Sequence, residues 1–257
     1  MSWLNVKEST SPFIFSIPHS GTLLSSEAER NLLSGYELEL PNIDWHLNEL
    51  YDFLFTLDVN VISTSISRYV VDLNRSTDSE LFGDYKCSLI YKRNTKNGDI
   101  YRTFPNKNEL KKRIEDYYIP YHLELDRLVE KATRDSGVCY LFDLHSFMGP
   151  IECDICLGNR DGASCSNYFI KKVNGALTNK KFYVEQNAFY KGGYITSKYI
   201  HNAKVESLQV ELRYTNYLDA KDYECVRSPS INEEKFINAK NRLKMAFTDI
   251  VYSHTIF

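Results

Sequence analysis

Short apolar, β-branched runs recur along this chain with helical patterns between them, and that alternation limits the folds open to it. The runs are PFIFSIP (12–18), VNVISTS (59–65), YVVDL (69–73), GVCYLFDL (137–144), FYVEQN (182–187) and SLQVEL (207–212). Their β-branched and aromatic side chains suit a pleated, buried surface. WHLNELYDFLFTL sets Leu47, Leu50, Tyr51 and Leu54 on one helical face, and a longer helical pattern covers 107–132, with Pro120 as an expected break or kink. The last helical pattern, SINEEKFINAKNRLKMAFTDIV, opens with Ser230 as an N-cap and Glu233 three residues on. Strands alternating with helices point to an α/β fold with a parallel or mixed sheet. The segment 76–106, punctuated by Asn and Gly, reads as loops laid over the sheet edge or a site.

A chain of 257 residues with 43% hydrophobic side chains can fill one large core. Its formal charge of −3 provides no basic field for a polyanion, which argues against nucleic acid as a partner. No apolar run approaches the roughly 20 residues needed to span a bilayer, so no membrane partner is expected and a cytoplasmic location is the default. The six cysteines then read as reduced thiols. Cys153 and Cys156 form one C-x-x-C, but the second pair or spaced histidines of a structural zinc site are missing.

Ligands of open α/β sheets bind beyond the carboxyl ends of the strands. There, PFIFSIP runs into His19, GVCYLFDL into His145, and SLQVEL carries Glu211. Two imidazoles and a carboxylate at three strand ends make a skeleton for a zinc hydrolase, whose metal takes three protein ligands and keeps a fourth position for water. Asp44, in PNIDWHL, is a candidate third ligand or simply the cap of the following helix. A lone histidine is more often structural than a ligand, and only the joint pattern favours a metal. In SRYVVDLNRS, Arg68, Asn74 and Arg75 flank a short run; guanidinium forks grip carboxylates, so these residues suit an acidic substrate or pair with surface acids. Gly192 and Gly193, in KGGYIT, allow a backbone to approach a ligand closely.

Taken in order, PHSG, DWHLNELYDF, SRYVVDLNR, DLHS, LGNRDGASC, KGGYIT and LQVELR resemble the N-formylglutamate amidohydrolase family over roughly 12–215. The resemblance implies one phosphorylase/hydrolase-like domain over 1–257, similar to zinc carboxypeptidases, with a central mixed sheet flanked by helices. It implies zinc-dependent hydrolysis of N-formyl-L-glutamate to formate and L-glutamate in histidine degradation. By matching position, His19 and His145 become zinc ligands and Asp44 the remaining candidate. Glu211 becomes the catalytic glutamate, Arg68 the arginine that polarises the carbonyl, and Asn74 with Arg75 the pair that binds a substrate carboxylate. Gly192 and Gly193 are candidates for the wall of the acyl pocket, and Lys191, Lys198 and Arg160 are alternative candidates for the cation that meets the second carboxylate. Asp143 is expected to orient the neighbourhood of His145 or to cap the turn after it.

The chain also departs from its relatives' patterns. Carboxypeptidases have H-x-x-E, whereas Ser20, Gly21 and Thr22 follow His19 here, so the third ligand falls to Asp44. An arginine often follows GGYIT in formylglutamate amidohydrolases, where this chain has Ser197 and Lys198. Two other readings stand beside this one. The nearer is a zinc amidohydrolase or carboxypeptidase-like enzyme for another acidic N-acyl amino acid or small peptide. The other is a non-catalytic binding protein of the same fold.

Overall fold

The computed structural model describes residues 3–34, 38–219 and 227–252. The strands are β1 (Leu4–Lys7), β2 (Phe13–Ile17), β3 (Asn60–Thr64), β4 (Glu80–Gly83), β5 (Ser88–Tyr91), β6 (Cys139–Phe147), β7 (Ile155–Gly158), β8 (Val184–Gln186) and β9 (Val205–Arg213). Seven form one sheet in the order β1-β3-β2-β6-β9-β7-β8, while β4 and β5 form a separate parallel ribbon. β2, β3, β6 and β9 run parallel; β1 and β7 meet the sheet antiparallel, which makes it mixed.

Alternation along the central strands buries both faces. Phe13 and Phe15, with Tyr140 and Phe142, point to one side; Ile14 and Leu141 point to the other. Helices cover each side. The first face takes α2 (Leu47–Leu50), α5 (Asn167–Asn179) and α7 (Glu233–Tyr252), with Phe247 edge-on to Phe15 and Phe142. The second takes α3 (Lys107–Arg113) and α4 (Ile119–Ser136) through Leu110, Tyr121, Leu125, Leu128 and Ala132. Two further helices are short, α1 (Ser26–Asn31) and α6 (Tyr194–Ser197), and α6 packs against β6 and β9. A central mixed sheet flanked by helices is the fold expected from the sequence, and no helix among the described residues is long and apolar enough to cross a membrane.

Several local expectations change. YVVDL is not a strand. Val70 N–H closes a turn on Ser67 O, and the Asp72 carboxylate accepts the Asn74 N–H, so the run buries its apolar residues without pairing in the sheet. The helix expected over WHLNELYDFLFTL is one α turn at Leu47–Leu50 followed by a 3₁₀ turn at Asp52–Thr56. Pro120 does not break its helix: a π turn at Ile114–Tyr118 precedes it and places Pro120 in the first turn of α4, where a missing N–H costs little. Asn232 rather than Ser230 caps the last helix, accepting the Lys235 N–H at 3.1 Å. Segment 76–106 holds the β4–β5 ribbon, and β7 lies in a stretch the apolar pattern did not mark. Cys139, Cys153, Cys156 and Cys165 are free buried thiols and Cys87 is free and exposed, while Cys225 lies outside the described residues.

One buried ion pair braces the turn between Arg68 and Asp72. Arg113 of α3 is 1% exposed and makes hydrogen bonds of 2.6 and 2.9 Å to Glu27 of α1, and also donates to Val70 O and Tyr101 Oη. Burial pushes the Glu27 carboxyl up, but hydrogen bonding and charge from Arg113 outweigh it and hold it below its ordinary value. A depressed carboxyl contributes stability above its unfolded value and loses it as pH falls through the folded one. Glu27→Gln is therefore expected to cost about 1–3 kcal/mol at neutral pH, leaving a buried cation half-paired. Chemical denaturation from neutral to acidic pH checks this: the gap between wild type and variant should shrink in acid, and a constant gap would contradict it.

Candidate metal centre and active-site cavity

Three adjacent strands carry the chemistry. β2, β6 and β9 are neighbours, and their carboxyl ends deliver His19, His145 and Glu211. His145 and Glu211 are register partners on β6 and β9, so their side chains leave the same face. β6 runs on to Phe147, so His145 sits inside the strand rather than beyond it. Asp44 comes from the loop before α2, where its N–H donates to His19 O at 3.1 Å. That places its side chain in the site, with no part in capping a helix; the residue at the cap of α2 is His46.

His19, Asp44 and His145 are buried, and one donor atom from each falls within 4.8 Å of the others. Asp44 Oδ2 lies 2.9 Å from His145 Nδ1 and 3.9 Å from His19 Nδ1. The far nitrogens are tied back to carboxylates: His19 Nε2 is 2.7 Å from Asp72 Oδ1, and His145 Nε2 is 3.0 Å from Asp143 Oδ2. A carboxylate behind each imidazole is the usual backing of metal-bound histidines, and His145 Nε2 also lies 3.0 Å from Asn74 Nδ2. The donor set thus fits a divalent cation. The two imidazoles differ: Asp143 and Asp44 pull His145 well above its ordinary value against burial, whereas burial, with Arg68 adding to it, lowers His19.

Asp72 also accepts from Arg68 Nη2 at 2.8 Å and from Tyr91 Oη. Burial would raise its carboxyl, but His19 and Arg68 outweigh that and hold it well below the usual range. Arg68 further donates to Asn42 O at 2.9 Å and lies over the Tyr85 ring at 5.2 Å. Glu211 is 6% exposed, and burial, with Asp44 adding to it against His145, pushes its carboxyl up to about 8.

His19, Asp44, His145, Arg68, Tyr85 and Glu211 line a cavity of about 560 Å³. Arg68, Asn74, Arg75, Lys191, Gly192, Gly193 and Glu211 all reach it, so the expected site residues gather in one place. The Asn74 amide is already engaged, with Oδ1 accepting the Ile195 N–H at 2.8 Å and Nδ2 donating to Asp143 at 3.2 Å. Among the described residues the Arg75 side chain meets Tyr85 O at 3.5 Å, and its buried Nε has no hydrogen-bond partner there. Lys191 pairs with Asp161 at 2.9 Å while remaining half exposed. Lys198 is bound to Asp126 at 2.7 Å and Arg160 donates to Gly192 O; neither is in the cavity wall, and Ser197 is not there either.

Sequence reading missed Asp72, Tyr85, Tyr190 and Gln209. Asp72 had a visible signal, a carboxylate inside an otherwise apolar run between Arg68 and Asn74. The two tyrosines had none among the 19 in the chain.

Two imidazoles and a carboxylate thus share one cavity with a buried glutamate, two arginines and a lysine. The sequence model of the N-formylglutamate amidohydrolase family matches residues 11–218, and the chain belongs to that family. It is 31% identical over 220 residues to an N-formylglutamate deformylase of Pseudomonas putida, across 81% of this chain and 82% of the relative. To an N-formylglutamate deformylase of Pseudomonas aeruginosa it is 28% identical over 228 residues, across 84% and 85%. The crystal structure of N-formylglutamate amidohydrolase from Ralstonia eutropha JMP134 shares the fold, with a TM-score of 0.81 at 22% identity over 98% of each chain.

Proposed function

We propose that this chain hydrolyses the amide of N-formyl-L-glutamate to formate and L-glutamate, as a single catalytic domain over 1–257. The observation that carries the reading is the convergence of His19, Asp44 and His145 beside Glu211 in a cavity that also holds Arg75 and Lys191. Two imidazole nitrogens and one carboxylate oxygen suit zinc. His19, Asp44 and His145 would hold the ion, which would supply Lewis acidity to a bound water and to the formyl oxygen.

The chain's own residues do the rest. Glu211 takes the proton from the attacking water and passes it to the leaving amine nitrogen, a task suited to a carboxyl raised by burial. Arg68, fixed by Asp72 and Asn42 O, adds positive charge where the oxyanion develops. Arg75 grips the α-carboxylate of the substrate and Lys191 its side-chain carboxylate, which fixes the amide against Glu211. Gly192 and Gly193 wall the space for a formyl group. On the same reading the reaction belongs to histidine breakdown in the cytoplasm.

Substrate charge tests this reading. N-formyl-L-glutamate should be cleaved far faster than N-formyl-L-leucine; equal rates would contradict an acidic-substrate site. Lys191→Met is expected to raise KM for N-formyl-L-glutamate about 5–10-fold with little change in kcat, the pattern for a lost binding contact. N-formyl-L-glutamine, which lacks the side-chain carboxylate, should be indifferent to the change. An equal effect on both substrates would remove Lys191 from this role.

A further inference from the structure

Gln209 stands two residues before Glu211 on β9, is 4% exposed, and faces the cavity. Its side-chain amide makes two hydrogen bonds. Oε1 accepts the Gly193 N–H at 2.6 Å, and Nε2 donates to Glu211 Oε1 at 2.8 Å. A backbone N–H can only donate, so Gly193 fixes which end of the amide is oxygen. The NH₂ end must then face Glu211. Turning the amide over would set donor against donor at Gly193.

We infer that Gln209 is a positioning residue for Glu211, an inference that rests on the proposed role of Glu211 as proton carrier. Its NH₂ group occupies one carboxylate oxygen and leaves the other to receive the proton. A buried carboxylate without this donor would be free to rotate, and proton transfer depends on its geometry. The same turn serves the histidine side of the site. Gly193 packs on the Asn74 side-chain amide so closely that a Cβ there would overlap it, and the Ile195 N–H holds Asn74 Oδ1. Asn74 Nδ2 in turn meets Asp143, which backs His145. The KGGYI turn is thus a shared frame: one N–H fixes the glutamate through Gln209, and another supports His145 through Asn74 and Asp143.

Two variants test this on the full-length, zinc-loaded enzyme. Gln209→Leu removes both hydrogen bonds. Gln209→Glu keeps an oxygen for the Gly193 N–H but sets a carboxylate where Glu211 needs a donor. Both are expected to lower kcat for N-formyl-L-glutamate about 10–100-fold, with KM and zinc content close to wild type. If Gln209 only anchored the turn, Gln209→Glu would keep wild-type kcat, and that result overturns the inference. Crystal structures of both variants give a readout independent of turnover. A Glu211 carboxylate displaced or disordered in each supports the inference, and one unmoved in both overturns it. A wild-type enzyme inactive on N-formyl-L-glutamate would instead count against the proposed function, and the crystal structures would still decide whether Gln209 holds Glu211.

Discussion

Glu211→Gln is expected to reduce kcat on N-formyl-L-glutamate by about 10²–10⁴-fold, the range for losing a general acid–base group. The change replaces one carboxylate oxygen by NH₂, so the shape of the site is kept. Glu211 is register partner to His145 but is not among the three clustered donors, so metal content should stay at the wild-type level. In the proposed function substrate binding falls to Arg75 and Lys191, so KM should move little. Steady-state kinetics with metal analysis on the same preparation reads all three quantities. A variant that retains more than about a tenth of wild-type kcat would assign the proton transfer elsewhere.

His145→Ala is expected to abolish metal binding and turnover together. The substitution deletes the candidate ligand nearest Asp44, at 2.9 Å, and leaves Asp44 and Asp143 as buried carboxylates facing a space with no imidazole between them. Catalytic zinc sites rely on three protein ligands, so two should not hold the ion through dialysis. Elemental analysis should show metal falling from about one ion per chain to near none. Circular dichroism guards against misfolding, since folded protein without metal is the informative result. Wild-type metal content in folded His145→Ala would place the metal elsewhere.

The sheet was largely legible because PFIF, NVIS, CYLF and LQVE combine β-branched or aromatic side chains with burial on both faces. YVVDL misled for the same reason. Its composition suits a strand, but Asp72 is drawn into hydrogen bonds with His19, Arg68 and the Asn74 N–H, and those bonds shape a turn. Edge strands such as Leu4–Lys7, only partly buried, have too weak a pattern to read. His19, His145 and Glu211 were legible because each interrupts or ends an apolar run. Asp44 was ambiguous in the sequence, since Asp before a helix is a preferred cap; only the fold shows its carboxylate meeting His145 across 101 residues. The roles of Asp72 and Gln209 lie in side-chain partners contributed by distant segments, and no spacing along one chain encodes them.

The most direct test is formate release from N-formyl-L-glutamate by the purified protein, first with zinc bound, then after chelation, then after zinc is restored. The account predicts formate in equal measure with L-glutamate, its loss on chelation and its return with zinc. Formate release that continues unchanged in the metal-free protein would contradict a metal-dependent site at His19, Asp44 and His145. No formate from the zinc-loaded protein would contradict the proposed substrate.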